Sequence, residues 1–368
     1  MIRKALGWLG TLLLFALVAL CFAPTLVPPF LDRIYYTGPV SDHFDGHRFF
    51  NPGSHDPPRL DPRRILNRWL SSARPAWPDN VPVRPSVPPR SVAGDEMRVT
   101  WIGHSTVLVQ VAGLNILTDP IWSDNASPFS FIGIRRVRAP GVRFEDLPRI
   151  DLVLVSHNHY DHMDLPTLQR LWQRDRPRIV TSLGNDTILR GAGVEAVARD
   201  WGGSFSLYSR ECGPTDRCIP AAQVTVLRNH HWGSRWGTDR NRALWSAFAV
   251  RTQHGTIFFG GDTGWGDGAW VTEAARAGPY RLAIIPIGAF LPRDVMQASH
   301  VGPEEALRIF RTLDPRMALA VHWGTFQLSL ETIDQPPTLL RALERQQHLP
   351  EGRFIATEVG RPFSVPAQ

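Results

Sequence analysis

The chain reads as an α/β protein, a four-layer αββα sandwich in which two mixed β-sheets pack together and helices cover both outer faces. Three observations predict this. Strand signals come first as a meander, then alternate with helical ones, and the chain runs through that pattern crudely twice. Its 368 residues are 43% hydrophobic and only 20% charged, a globular composition with enough apolar residues for a large core. Clusters of His and Asp stand just beyond several strands, where the loops of layered α/β folds gather into one site.

The first element is apolar. Arg3 and Lys4 precede residues 5–23, which carry no charge, and the apolar character persists to Leu31. About 20 such residues span a bilayer as a helix. Charges upstream and none inside imply an inside N-terminus and a translocated body. Residues 1–31 are therefore expected to be a single-pass anchor in a bacterial inner membrane, with the catalytic domain in the periplasm. A cleavable signal peptide is the competing reading, but Pro24 would be a poor first residue after its best cleavage site.

Residues 32–95 are expected to be an extended wrapping arm, because 14 of the 32 prolines crowd between Pro24 and Pro89. His43 and His47 lie in this arm without strand context and read as surface groups. Residues 96–368 then form the folded domain. Strands are predicted at residues 97–103, 106–111 and 114–117, with Ala112-Gly113 as the hairpin turn between the last two. A buried strand follows at 151–155. Helical signals cover 166–172, 195–199, 270–277, 303–313 and 337–347, two of them marked by Pro303 and Pro337 at the first turn. Further strands are predicted at 224–228, 246–252, 256–260, 282–287, 317–321 and 354–356.

The chemistry sits at the strand ends. His157-Asn-His-Tyr-Asp-His162 follows the strand at 151–155. His157 and His159, two apart in an extended turn, can aim at one cation, and Asp161 and His162 can serve a second. Neutral imidazoles with a carboxylate are what a borderline cation such as zinc takes. Candidates recur in order: His230-His231-Trp232, Gly261-Asp262-Thr263-Gly264 and His322-Trp323-Gly324-Thr325, each just past a predicted strand.

Charge and cysteines add less. The net charge is +6 and the isoelectric point about 9.8, which suits an anionic partner such as a phospholipid surface or a nucleic acid. Of the three cysteines, Cys212 and Cys218 flank Gly213-Pro214 and could close a small disulfide loop.

On these residues the chain resembles the metallo-β-lactamase fold superfamily, whose signature is H-x-H-x-D-H followed by a separate His, an Asp and a last His. It is most similar to the branch of N-acylphosphatidylethanolamine-hydrolysing phospholipases D and their bacterial relatives. The closer match rests on Trp101-Ile-Gly-His-Ser-Thr106, Leu117-Thr-Asp-Pro120, His157-Asn-His-Tyr-Asp-His162, Gly261-Asp-Thr-Gly264, His300-Val-Gly-Pro-Glu-Glu-Ala306 and His322-Trp-Gly-Thr-Phe326. It covers about residues 42–328. The resemblance implies two zinc ions per chain. His157, His159 and His231 would hold one, Asp161, His162 and His322 the other, and Asp262 would bridge. His231 is preferred to His230 because that branch places a His directly before Trp, here Trp232.

The expected activity is hydrolysis of N-acylphosphatidylethanolamine-type phospholipid to phosphatidic acid and N-acylethanolamine. The two ions share a water, lower its pKa towards about 7, and the bridging hydroxide attacks phosphorus. Asp161, Asp262 and His300 are the expected catalytic groups, with His300 before a helix start that favours an anion. Asp119 and His104 are expected to support the ligands from behind. Residues 127–138 mix aromatic and basic side chains, so Phe129, Phe131, Arg135, Arg136 and Arg138, together with Tyr160, are expected to contact a phospholipid at the membrane surface. An RNA or other nucleic-acid partner is not expected of an enzyme anchored outside the cytoplasm. The rivals are a lactonase or another phosphodiesterase of the same fold. A non-enzymatic envelope protein is disfavoured, because a structural zinc site is normally closed and mononuclear.

Overall fold

The computed structural model describes residues 7–18, 33–53, 75–129, 131–209 and 218–367. Sixteen strands are described. The first group is β1 (Met97–Gly103), β2 (Thr106–Val111), β3 (Leu114–Thr118), β4 (Asn125–Ala126), β5 (Ile134–Arg135), β6 (Leu152–Val155), β7 (Arg178–Ser182) and β8 (Val197–Arg199). The second is β9 (Ser204–Leu207), β10 (Ala222–Leu227), β11 (Ala247–Thr252), β12 (Gly255–Phe259), β13 (Tyr280–Pro286), β14 (Met317–Val321), β15 (Phe354–Ile355) and β16 (Pro362–Ser364). One seven-stranded sheet has the order β16-β1-β2-β3-β6-β7-β8 and the other β15-β14-β13-β12-β11-β10-β9. Each is half antiparallel meander and half parallel, so both are mixed, as expected.

The two-residue period of the strands sorts their side chains into layers. Leu152 and Leu154 of β6 face the second sheet and join Val226, Phe248 and Phe259 in one core. Val153 and Val155 point the other way, onto Leu168 and Leu171 of α2 (Leu165–Asp175) and Leu189 of α3 (Asn185–Gly191). The outer face of the second sheet is covered by α4 (Ala269–Ala275), α6 (Pro303–Leu313) and α7 (Gln335–Gln346), through Trp270, Phe310 and Leu340. A short α5 (Arg293–Met296) precedes α6, and the remaining helix, α1, covers residues 7–18.

Several expectations change. Residues 195–199, read as helical, instead supply β8, which pairs in parallel with β7 at the sheet edge. The single-pass inner-membrane placement, with the body in the periplasm, is overturned. Among the described residues no helix is long and apolar enough to cross a membrane. The rest of the stretch expected to cross lies outside the described residues. Cys218 is disulfide-bonded, and its expected partner Cys212 also lies outside them.

The described parts of residues 33–53 and 75–95 contain no helix and lie along the body. Phe44 and Phe49 pack with Leu244 and Trp245, and Phe49 N donates to Asn241 O at 2.8 Å. His43, read as a surface group, is buried here against Trp201, while His47 is exposed.

Candidate metal centre

In the first sheet β1, β3 and β6 run in one direction, and in the second β10, β12 and β14 do. Their carboxyl ends meet at one edge of the sandwich. His104 follows β1, Asp119 follows β3, and the His157–His162 loop follows β6. His231, Asp262 and His322 lie beyond β10, β12 and β14. Local backbone aims them. Gly261 takes a φ of 57°, and a side chain there would sit 2.7 Å from Ser156 Cβ, so the turn into Asp262 calls for glycine.

Two nests of ligand atoms result. In the first, His157 Nε2 lies 2.8 Å and His231 Nε2 3.4 Å from His159 Nδ1. Tetrahedral zinc with bonds of about 2.0–2.1 Å holds its nitrogens roughly 3.3 Å apart, so this spacing is of the right kind. Burial pushes His159 down to about 4 and His157 and His231 well below the usual imidazole range. All three are held neutral, the form that ligates a metal.

The second nest carries the carboxylates. His162 Nε2 lies 3.3 Å from Asp161 Oδ2 and 3.2 Å from Asp262 Oδ2, and His322 Nε2 lies 3.0 Å from Asp262 Oδ2. Burial by itself would raise both carboxyls, but the facing imidazoles, His162 foremost, hold them well below the usual range. Burial opposes charge on His322 too, yet Asp262 and Asp161 raise it to about 9. Asp262 also gathers with His231 of the first nest and with His300.

The donor set fits divalent cations. His162 Nε2 and His322 Nε2, which point into the second nest, and Asp262 Oδ1 are buried polar atoms without a hydrogen-bond partner among the described residues. Burying such groups unpaired is costly, and a cation at the second nest would answer the cost. The far sides of the rings are anchored. Asp119, fully buried, takes His162 Nδ1 at 2.7 Å and Ser156 Oγ at 2.5 Å, and Ser156 Oγ lies 2.9 Å from His157 Nδ1. Ser299 O receives His231 Nδ1 at 2.9 Å. His104 Nε2 lies 2.9 Å from Asp161 Oδ2, within the same cluster as His162 and His322.

The structure brings together His104, Asp119, His157, His159, Asp161, His162, His231, Asp262, His300 and His322. His300 Nδ1 stands 3.7 Å from Asp262 Oδ2. His230 faces away, against Gly266, and joins no ligand group. Tyr160 lines a groove of about 970 Å³ together with Phe129, Trp122 and Ile188.

The arginines of the β4–β5 hairpin divide. Arg135 is exposed, and so is Phe131, by 84%. Arg136, expected on a phosphate, is buried instead. Its Nε donates to Ser123 O and its Nη2 to Ile121 O, each at 2.9 Å, so its donors hold the hairpin and are not offered to a substrate. The Arg138 guanidinium lies 5.3 Å from the centroid of the Trp323 ring and 3.8 Å from Asp334. Sequence reasoning missed Ser156, Ser299 and Asn51, whose Nδ2 donates to His231 O at 2.9 Å. Only Ser156, a polar residue between a buried strand and the first ligand, left a trace to find.

Comparison with known proteins agrees. A family model described as "Beta-lactamase superfamily domain" matches residues 114–323, more than half of the chain. The Caenorhabditis elegans protein named N-acyl-phosphatidylethanolamine-hydrolyzing phospholipase D 1 is 34% identical over 271 residues, 71% of this chain and 74% of that one. The mitochondrial N-acyl-phosphatidylethanolamine-hydrolyzing phospholipase D of Saccharomyces cerevisiae is 32% identical over 248 residues, 66% of this chain and 51% of that one. Among solved structures, a metallo hydrolase from Ignicoccus hospitalis matches with a TM-score of 0.53 at 20% identity, over 74% of this chain and 99% of that one, which speaks for the fold alone. The chain belongs to the metallo-β-lactamase fold superfamily and is a metal-dependent hydrolase.

Proposed function

We propose that this hydrolase is a zinc phosphodiesterase that cleaves N-acylphosphatidylethanolamine-type phospholipid. The observation that supports it most is the pair of ligand nests sharing Asp262, read beside two relatives whose names carry that activity. His157, His159 and His231 would hold one ion, Asp161, His162 and His322 the other, and Asp262 would serve both. A pair of divalent ions supplies Lewis acidity and a nucleophile at neutral pH. In this reading residues 32–95 are a wrapping arm and residues 96–368 the catalytic domain.

The chain's own residues do the rest. Asp119 and His104 keep the ligand rings and Asp161 in place. Water oxygen bonds to phosphorus, the bond from phosphorus to the ethanolamine oxygen breaks, and that oxygen takes up a proton. The products are phosphatidic acid and an N-acylethanolamine. His300, whose Nδ1 has no hydrogen-bond partner among the described residues and stands 3.7 Å from Asp262 Oδ2, is placed to move that proton. Phe129, Phe131 and Ile132, exposed by 50%, 84% and 59%, meet the acyl region of a lipid surface, and Arg135 next to them meets phosphate. Tyr160 and Phe129 line one groove.

The test is incubation of the zinc-loaded protein with vesicles of N-acylated and ordinary phospholipids, and identification of the released head group. N-acylethanolamine is expected. Turnover of a lactone or of soluble phosphodiesters alone would overturn the lipid assignment. Replacing Phe129, Phe131 and Arg135 together by Ala is expected to slow the vesicle reaction about tenfold and to spare a small soluble phosphodiester. Equal loss on both substrates would make the hairpin a support of the site.

A further inference from the structure

The turn after β10 carries an arginine that no motif marks. Arg235 Nη1 bears two hydrogens and donates to Asn158 O and to Met163 O, both at 3.0 Å. Those carbonyls flank His159, Tyr160, Asp161 and His162. One nitrogen thus ties both ends of the segment that carries three candidate ligands. The guanidinium carbon also lies 4.0 Å from the centroid of the Tyr160 ring, so the side chain between two of those ligands is held by the same cation.

The arginine is itself held in place. Asp239, fully buried, accepts Ser234 Oγ at 2.7 Å, Trp236 N at 2.8 Å and Arg235 N at 3.0 Å on one oxygen. Its other oxygen accepts Tyr35 Oη at 2.9 Å, and Tyr35 belongs to the N-terminal arm. The chain of contacts runs from the arm, through Asp239, to Arg235 and into the ligand loop.

We infer that Arg235 is a positioning residue for the metal centre, stapling the 158–163 loop into its ligating shape, with Tyr35 linking the seating of the arm to that staple. Charge-assisted donors to two carbonyls and a planar stack on Tyr160 are a combination only arginine offers in full. The inference rests on the two-nest reading of the metal site. Groups that orient ligands typically change metal affinity by about 10–100-fold when removed.

The experiment measures zinc affinity of the full chain by competition with a chromophoric chelator, for the wild type, Arg235→Ala, Arg235→Lys and Tyr35→Phe. Arg235→Ala is expected to bind zinc about 10–100-fold more weakly, Arg235→Lys to fall between, and Tyr35→Phe to lose a few-fold. Millimolar methylguanidinium is expected to restore part of the affinity of Arg235→Ala. A merely structural arginine would lower the melting temperature of the metal-free protein and leave zinc affinity unchanged, and that result would overturn the inference. Should Arg235→Ala fail to fold, wild-type affinity in both Arg235→Lys and Tyr35→Phe would overturn it equally. A wild type that takes up no zinc would instead refute the metal reading beneath it.

Discussion

His43 in the arm and His162 at the strand ends are both buried imidazoles flanked by carboxylates, yet they do opposite things. His43 spends both nitrogens, with Nδ1 2.6 Å from Asp42 and Nε2 2.8 Å from Asp200, and stacks on Trp201. It is a closed clip between arm and body. His162 spends only Nδ1, on Asp119 at 2.7 Å, and turns Nε2 towards Asp161 and Asp262 without a hydrogen bond. A ring anchored at one nitrogen and open at the other, beside further rings of the same kind, is what distinguishes a ligand from a structural histidine. Burial and neighbouring charge alone would not separate them.

That contrast can be broken at three depths. Asp262→Ala removes the carboxylate proposed to serve both nests. Activity is expected to fall by roughly 10³-fold or more, with zinc content dropping below two per chain by elemental analysis. Full activity in this variant would end the two-nest description. Asp119→Asn keeps the shape behind His162 and Ser156 but loses the charge. Zinc affinity is expected to weaken about 10–100-fold, and saturating zinc should restore much of the turnover.

The smallest effect belongs to His43→Gln, which should leave zinc content unchanged. Burial works against a charge on His43, but Asp200 and Asp42 outweigh it and raise its pKa. A raised imidazole contributes stability that is fully present below its unfolded value near 6.5 and is lost as pH rises through the folded value. The variant should therefore melt below the wild type at pH 6, by an amount matching about 1 kcal/mol, since both carboxylates reach solvent. The gap should close as pH rises. A gap that widens instead would mean that His43 is held neutral.

Most strands were legible because two-residue alternation and apolar runs are local. The strand predicted at 317–321 matches β14 residue for residue, and so does that at 97–103 with β1. Failures came where a neighbour decided the outcome. Residues 195–199 carry helix-favouring Glu and Ala, but Val197–Arg199 gain a parallel partner in Ser182 and its neighbours, and that ladder overrides propensity. The edge strand Pro362–Ser364 has no pattern of its own and is defined by pairing with β1. Arg135 and Arg136 are adjacent and identical in type, and only the fold sends one to solvent and the other to buried carbonyls.

What the chain determined by itself was the kind of chemistry: imidazoles and carboxylates at strand ends, in an order that carries across separate segments. Residue type and spacing settle that, because ligand preference is a property of the side chain. Which histidine is open and which is closed was left to the tertiary structure. Lack of strand context sets His43 apart from His231 in sequence, but only the fold brings one to Asp200, 157 residues away, and the other to His159 from the opposite sheet. Contacts between segments so far apart exist only once two sheets have packed, and packing leaves no mark on the local pattern.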